Sequence, residues 1–508
     1  MTRSRSALLA LLLLTGACAS DKGDTGAGDG TDGSGDGTDG TDGTDGTDGT
    51  DGTDDTDGTD GSDGTVYDDP PYTFVTDLAG ENSVAYSGQV FRQVLIDDLK
   101  VHLGRMTERL DNGALIPAPG AVRAELDFYL EFDSDAYGEL SVQRSVNGEP
   151  AQVTYNDISS GKDLLGKLAG RDPTGQHKDW TTEFVGWDAD GVTSPESLVR
   201  HWFAVVDAQA VAWASGATPI DPDGEPVPHV YVTADGLDLQ QLLETFLRGA
   251  VGFSQGADDY LDDDLDDKGL NSDHTALEEG KPYTSLEHQW DEGFGYFGAA
   301  RDYDTWTDDD LADLGSGDRN GDGLVDFLSE VNFGHSTHAG KRDRGAVVAT
   351  DFTAEAWAGF YEGRALLAET AGSALTAAQL EELQGHRDQA VLAWEKAIAA
   401  TVVHSINDVV RDMRAIGTVD YDFGEHARHW SEMKGLALSL QFNPRSPVGD
   451  TLFLEIQGYL RTRPVLSDAS ASERALYVGD LLAARDLLGE AYDFDVQNLG
   501  DSNGENGW

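Results

Sequence analysis

Histidines and carboxylates cluster at two places in this sequence, in patterns that could hold a metal ion. His426, His429 and Glu432 are spaced three residues apart, which on an α-helix puts the three side chains on one broad stripe. His288 is followed by two carboxylates within one helical turn. Imidazole and carboxylate groups are ligands of zinc and iron, so one site shared by both helices would suit either metal. The candidate ligands are His429, Glu432, His288, Glu292 and His426.

For each cluster the alternative is an ordinary hydrogen-bonded pair on a helix. His404 and Asn407 are weaker additions to the shared site, and we expect His201, His335 and His338 to be packing or capping groups. The sequence contains no His-Glu-x-x-His helix, no Gly-x-Ser-x-Gly elbow, no phosphate-binding glycine loop and no haem-attachment cysteine pair. These absences exclude the best-known hydrolase and nucleotide-binding motifs.

Residues 318–326 have the spacing of a calcium-binding loop. Oxygen-bearing side chains fall at positions 1, 3, 5 and 9, with a glycine at position 6 and an apolar residue at position 8. We expect a structural calcium ion that fixes this loop between two helices; the alternative is an Asp/Gly-rich turn. The predicted ligands are Asp318, Asn320, Asp322, Asp326 and Glu330, the last standing one place beyond the usual closing position.

The N-terminus predicts export. Two arginines precede an apolar run at 7–14 that is too short to span a bilayer, and two small residues lead into Cys18, the only cysteine. We expect residues 1–18 to be a signal peptide with Cys18 as the lipid attachment site, so that the membrane is a partner through this anchor. Ala19 after it favours the outer membrane, on its periplasmic face or at the cell surface. Ordinary secretion is the alternative.

The chain is strongly acidic, with 34 Lys and Arg against 94 Asp and Glu and a net charge of −60. Residues 19–69, almost purely Asp, Gly and Thr, should form a disordered tether because they have nothing apolar to bury. The remainder is acidic as well. Such a surface repels nucleic acid and attracts cations, although general solubility is an equally good explanation.

Helical periodicity dominates the rest of the chain and predicts an all-α fold of antiparallel helices. The helices would form one large bundle or two packed bundles, with a small N-terminal β-hairpin within 72–87. We expect a helical part with a turn-rich excursion at 70–232, a helical bundle at 233–495 and a flexible tail at 496–508. The predicted helices cover 89–110, 121–132, 194–215, 235–261, 285–301, 335–369, 376–416, 423–442, 451–461 and 471–492.

Several segments resemble an uncharacterised family of bacterial lipoproteins known only as a domain of unknown function. They are Asn82-Ser83-Val84, Ser87-Gly88-Gln89 with Arg92, Glu287-His288-Gln289-Trp290-Asp291-Glu292, the 318–326 loop and His429-Trp430-Ser431-Glu432-Met433-Lys434-Gly435. The family is similar to imelysin-like helical-bundle lipoproteins, which are linked to iron uptake and, in some members, to peptidase activity. Their Gly-x-His-x-x-Glu signature is broken here at His429, but His429-x-x-Glu432 restores the last spacing. The resemblance therefore implies metal ligands at His429 and Glu432.

Three functions stay open at this point. The first is a lipid-anchored protein that binds a metal ion or a metal-bearing ligand, in iron acquisition for example. The second is a surface interaction module whose only metal is the structural calcium, its protein partner being unidentified. The third is a metallohydrolase or peptidase, with Glu292 or Glu432 as general base on a metal-bound water.

Overall fold

The computed structural model of the protein describes residues 70–171 and 176–508. The predicted signal peptide, the lipid attachment at Cys18 and the tether lie outside these residues. Within the described part, every helix is either too short or too polar to cross a membrane.

The described residues fold into helices joined by long irregular loops, as the periodicity predicts. The helices are α1 (Ser87–Gly104), α2 (Met106–Asp111), α3 (Ala121–Leu130), α4 (Ser134–Tyr137), α5 (Tyr155–Ile158), α6 (Pro195–Ala214), α7 (Leu239–Leu247), α8 (Ser285–Phe297), α9 (Asp308–Asp313), α10 (Gly334–Gly345), α11 (Phe352–Thr370), α12 (Ala377–Ala415), α13 (Phe423–Ser439), α14 (Asp450–Leu460), α15 (Ala471–Tyr492) and α16 (Val496–Leu499). The strands are β1 (Glu149–Pro150) and β2 (Leu324–Val325), paired in parallel. The predicted all-α class is confirmed.

The long helix α12 lies at the centre of the core. It contacts α10, α11, α13 and α15, while α13 also packs on α7, and α1 contacts both α7 and α8. The core is therefore continuous across residue 232. Five tryptophans of the described residues are fully buried in it: Trp180, Trp202, Trp290, Trp394 and Trp430.

Helix starts with strong capping residues lie where the sequence predicts them. The Ser194 side chain accepts a hydrogen bond from the Ser197 amide ahead of Pro195, and Thr376 caps α12 by accepting from the Gln379 amide. These side-chain oxygens accept hydrogen bonds from backbone amides of the first helical turn, which have no acceptor within the helix. Helices α6, α12 and α15 consequently match their predicted ranges to within two residues.

Three helix predictions are wrong in detail, the first being 89–110, which is two helices, α1 and α2, separated at Arg105. The helix predicted from residue 235 begins at Leu239, because the Asp238 carboxylate caps α7 by accepting from the amides of Gln240 and Gln241. The predicted helix 335–369 is two helices, since α10 ends at Gly345 and Asp351 caps the new start of α11 through the Ala354 amide. The errors at α7 and at α10–α11 come from reading one periodic pattern across a local capping signal, Asp238 or Asp351.

The helix that begins with α7 continues beyond Leu247 as two π-helical segments, Arg248–Phe253 and Gly256–Tyr260. Glycines let these turns approach their neighbours closely. A Cβ at Gly249 would lie 1.8 Å from Ser439 Oγ, and one at Gly256 would lie 2.7 Å from the Trp394 ring. Wide π-turns are frequent at functional sites.

The predicted N-terminal hairpin is reduced to one antiparallel bridge, between Val75 and Asn82. The residues of the expected second strand instead form hydrogen bonds to a helix. Ser83 Oγ donates to Glu287, and the Ala85 amide donates to Asp291, both on α8. The chain then enters α1 in place of a second strand.

The C-terminal segment 496–508, predicted to be a flexible tail, is instead packed against the helices. Trp508 is only 4% exposed, and its Nε1 donates to the Arg342 carbonyl oxygen at 2.9 Å. Asn407 Nδ2 on α12 donates to the carbonyl oxygens of Leu499 and Trp508. A large aromatic residue and matched backbone acceptors explain why this polar segment is held in place.

Candidate ligand-binding pocket

His429 on α13 is bound into a network of charged side chains from its own helix and α12. Its Nδ1 lies 2.7 Å from Asp412 Oδ2, and its Nε2 lies 2.6 Å from Arg428 Nη2. Asp408 Oδ2 is 3.9 Å from the same Nε2 and 3.2 Å from His404 Nε2. Both ring nitrogens of His429 are therefore already in contact with charged groups.

The other two predicted ligands on α13 point elsewhere. His426 is fully buried, with Nδ1 3.3 Å from the Tyr421 hydroxyl and no hydrogen-bond partner for Nε2 among the described residues. Burial lowers its pKa to about 4, which keeps the imidazole neutral at physiological pH. Glu432 lies 3.7 Å from Arg428 Nη1 and lines a pocket described below.

The second predicted cluster, on α8, has different neighbours. His288 Nδ1 lies 3.1 Å from the Ala85 carbonyl oxygen, and the ring stacks on Tyr283 at a centroid distance of 4.4 Å. Glu292 accepts from Gln89 Nε2 at 2.6 Å and lies 3.8 Å from His288 Nε2. In residues 70–171 and 176–508, no three His, Cys, Asp or Glu side chains form a group that could hold a metal ion.

The predicted calcium ligands do come together in one loop, where their oxygens accept hydrogen bonds from backbone amides. Asp318 accepts from Gly321 and Gly323, at 2.7 and 2.8 Å. The buried Glu330 carboxylate accepts from Arg319, Asn320 and Asp326 amides. In the same way Asn320 Oδ1 accepts from Asp322, Asp322 Oδ1 from Leu324, and Asp326 Oδ1 from Leu328. The loop oxygens are therefore satisfied by backbone donors of the same loop, and calcium stays a prediction.

A separate pocket of about 370 Å³, here called the charged pocket, opens between α1, α7, α10 and α13, with α9 and the loops before α10 completing its wall. Its charged lining consists of Asp97, Lys100, Arg144, Glu244, Arg248, Asp313, Lys341, Arg428 and Glu432. Sequence reasoning identified only Glu432 among these side chains.

Two carboxylates in the charged pocket each join two cations. Asp97 pairs with Arg144 Nε at 3.0 Å and with Arg248 Nη2. Glu244 pairs with Arg248 Nε at 2.8 Å and with Lys100 Nζ at 2.9 Å. Burial alone would raise the pKa of Glu244, but Lys100 and Arg248 hold it well below its usual range. This chain of five charges has an excess of one cation.

Other donors in the charged pocket have no partner among the described residues. Arg144 Nη1, Asn332 Nδ2 and His338 Nδ1 are buried without a hydrogen bond, and Lys341 makes no ion pair within 4 Å. Burial lowers the pKa of Lys341, although Glu432 and Glu244 oppose this. Leaving a buried donor unpaired costs about 1–3 kcal/mol, so each such group needs an explanation.

Helix α10 presents one face to the charged pocket. Gly334, Thr337, His338 and Lys341 follow the i, i+3, i+4, i+7 pattern of a single helical stripe, and all four line the pocket. His338 is thus a pocket residue, whereas His335 is a packing group as expected, because its Nδ1 accepts from Trp394 Nε1 at 2.8 Å. This polar stripe in a buried helix is the signal by which the sequence could have revealed the pocket.

The comparisons with known proteins yield one match. No curated protein and no solved structure matches the chain. The resemblance to lipoproteins and to imelysin-like proteins stays a prediction. A protein family matches residues 193–455, more than half of the chain, and this stretch contains α7, α9, α10 and α13 of the charged pocket. The chain therefore belongs to the family described as "Domain of unknown function (DUF4856)".

Proposed function

We propose that the protein binds a small, polar, anionic ligand in the charged pocket. Five of the nine charged side chains that line it are cations, whereas the whole chain has 34 cations against 94 anions. A concentration of basic groups inside so acidic a molecule has no role in solubility. It favours a ligand whose charge complements the pocket.

Lys341 is the observation that carries the proposal. Its side chain is partly exposed, and no carboxylate lies within ion-pairing distance of its ammonium group among the described residues. Its surroundings nevertheless disfavour an unpaired charge, because desolvation lowers the pKa of Lys341. A ligand carboxylate or phosphate would supply the missing partner.

The size and lining of the pocket narrow the kind of ligand. About 370 Å³ lies within the range of small-molecule sites, roughly 300–1,000 Å³. The cations would repel a bare metal ion, but they suit a chelate in which carboxylates surround the metal. The predicted metal-bearing ligand is therefore included in the proposal in this anionic form.

Titration calorimetry of the purified protein at constant ionic strength tests the proposal. Citrate and ferric citrate are the probes, and the neutral polyol sorbitol is the comparison. We expect citrate or ferric citrate to bind and sorbitol not to. Lys341→Gln should weaken binding by about tenfold or more, because a charge-assisted contact is lost.

Arg123→Gln is the matched control, since it also removes one cation but lies exposed on α3, away from the pocket. It should bind citrate like the unsubstituted protein. The proposal is wrong if neither citrate probe binds, or if Arg123→Gln loses as much affinity as Lys341→Gln.

The metal predictions are tested separately by elemental analysis of the purified protein. Iron or zinc that disappears in His429→Ala would support a metal site at His429 and Glu432, and a peptide-hydrolysis screen would then test for a metallohydrolase. Calcium alone would favour the interaction module. These alternatives have no observation comparable to the unpaired cation at Lys341.

A further inference from the structure

Helix α10 begins at the wall of the charged pocket without a side-chain cap. Its first residue, Gly334, lines the pocket, and the capping position is Phe333, which has no side-chain acceptor. Among the described residues no acceptor is found for the backbone N–H of Gly334 or of His335. Unpaired amides at the start of a twelve-residue helix, together with the helix dipole, attract anions.

Asn332, two residues earlier, gives an independent indication of a ligand at this point. It is only 1% exposed, and its Oδ1 is already used, since it accepts from the Ala300 amide at 2.8 Å. Asn332 lines the same pocket, and its Nδ2 has no partner within the described part of the chain. A buried amide that leaves two N–H donors unused is rare in proteins.

Arg144 supplies a second unused donor beside Asn332. Its guanidinium lies over the Phe333 ring, with Cζ 4.3 Å from the ring centroid. Nε pairs with Asp97 and Nη2 lies 3.5 Å from the Asn332 carbonyl oxygen, whereas Nη1 is buried and unpartnered in the described residues. The free donor of Arg144 is therefore next to the start of α10.

Arg248 adds positive charge to the same place. Gly334 has φ +45°, and a Cβ there would lie 2.6 Å from Arg248 Nη1, so only glycine lets this guanidinium pack against the helix start. Its own donors are engaged by Glu244, Gln93 and Asp97. Arg248 thus contributes electrostatic attraction and leaves the direct contacts to Arg144 and Asn332.

We infer that the N-terminus of α10 is an oxyanion site, where a carboxylate or phosphate group of the ligand accepts hydrogen bonds from Asn332 Nδ2, Arg144 Nη1 and the first amides of the helix. Lys341 lies seven residues further along the same face, about 10 Å away at 1.5 Å per residue. It is placed to meet a second anionic group. The ligand class is therefore a compound with at least two acidic groups, an inference that rests on the proposed function.

The test uses two probes, inorganic phosphate and citrate, titrated into the protein at constant ionic strength. A phosphate ion is too small to contact the oxyanion site and Lys341, about 10 Å apart, at the same time, whereas citrate can reach both. Asn332→Asp keeps the acceptor for Ala300 and replaces the unused NH₂ group by an oxygen. We expect Asn332→Asp to weaken the binding of both probes by about tenfold or more. Lys341→Gln should weaken the binding of citrate far more than the binding of phosphate.

Asn503→Asp is the matched control, because it adds the same charge at an exposed position far along the chain, and it should bind both probes normally. If Asn332→Asp does not fold, Arg144→Gln takes its place with the same expectation. Stronger binding of phosphate than of single carboxylates such as acetate would identify a phosphate group as the natural occupant, and the reverse would identify a carboxylate.

The outcomes separate this inference from the proposed function. If Asn332→Asp and Arg144→Gln bind phosphate and citrate normally while Lys341→Gln loses citrate, the pocket binds anions but the oxyanion site is wrong. If the unsubstituted protein binds neither probe, both proposals are wrong. Equal weakening by Asn503→Asp would also overturn the inference, since the effect would then be one of net charge.

Discussion

Two clusters of arginine and carboxylate side chains in this molecule differ in whether their hydrogen-bond donors are all paired. Around Arg364 on α11, here called the buried ion cluster, the guanidinium donates to Glu287 at 2.8 Å, to Asp291 at 2.9 Å and to Ser83 Oγ at 2.6 Å. Arg364, Glu287 and Asp291 have no exposed side-chain surface. In the charged pocket, by contrast, Lys341 and one nitrogen of Arg144 remain unpaired in the described structure.

The difference distinguishes a structural cluster from a binding site. In the buried ion cluster each side of the guanidinium meets an acceptor, and Tyr72 also donates to Asp291 at 3.2 Å. Such a cluster joins α8, α11 and the N-terminal segment and has no capacity left for a ligand. In the charged pocket some hydrogen-bond donors have no acceptor among the described residues. Unpaired donors lower the stability of a protein, and such donors are retained where a ligand supplies the acceptor.

The strongest test of this comparison is Arg364→Met. It should lower the free energy of unfolding by about 3–5 kcal/mol, because Glu287 and Asp291 would be left buried without a counter-ion. Urea denaturation monitored by tryptophan fluorescence measures the change. Arg344→Met is the control, since its ion pairs with Asp309 and Asp313 are largely exposed and should contribute less than about 1 kcal/mol. Equal losses in both variants would contradict the structural role.

Lys434 is an intermediate case, a buried cation whose one hydrogen-bond acceptor among the described residues, Gln457 Oε1 at 2.6 Å, is neutral. Burial lowers its pKa to about 7. Because the unfolded chain then binds more protons than the folded one above pH 7, stability due to this group should rise by about 2 kcal/mol between pH 7 and pH 9. Lys434→Met should lack that rise in urea denaturation at the two pH values. An unchanged pH dependence in the variant would show that the lysine is not responsible.

The predicted calcium loop at 318–326 is a third cluster to compare, an acidic one whose oxygens are already hydrogen-bonded. If calcium binds, a concentration ten times its Kd should stabilise the protein by about 1.4 kcal/mol, seen as a rise in Tm. Asp318→Asn should abolish this rise, whereas Asp179→Asn, at an exposed loop position, should keep it. If calcium does not change the Tm, the loop resembles the buried ion cluster, in which the contacts within the protein already satisfy every charged group.

Lys341→Met should have the smallest effect on stability. No partner among the described residues is lost and the charge that is removed is partly exposed, so the free energy of unfolding should change by less than about 1 kcal/mol, even though citrate binding is weakened. The same urea denaturation measures it. A loss comparable to that of Arg364→Met would mean that Lys341 has a structural partner, and the comparison would fail.

Elements of the fold can be predicted from the sequence where residues close together in the chain determine them. Ser194 with Pro195, and Thr376, mark helix starts through contacts made within three residues. The hairpin and the C-terminal tail were misjudged because distant partners decide them: Ser83 bonds to α8, and Trp508 inserts near Arg342. Periodicity in one segment carries no information about such partners.

The site was less accessible, because the charged pocket takes its side chains from α1, α7, α9, α10, α13 and two loops. Asn332 and Arg144 are 188 residues apart in the chain. The His/carboxylate pattern on α13 did lead to Glu432 at the pocket wall, but its spacing was interpreted as metal chemistry. Arg428 and Glu432 pair on that face of the helix, and only the structure shows that both residues line the charged pocket.

The π-helical turns at Arg248–Phe253 have a consequence for comparing members of the family. Each π-turn holds about one residue more than an α-turn, so a one-residue deletion there would restore α-helical geometry and rotate the preceding face by about 100° relative to the following one. Arg248 would then turn away from Gly334. Length variation by a single residue in this segment should therefore separate members that keep the oxyanion site from members that have lost it.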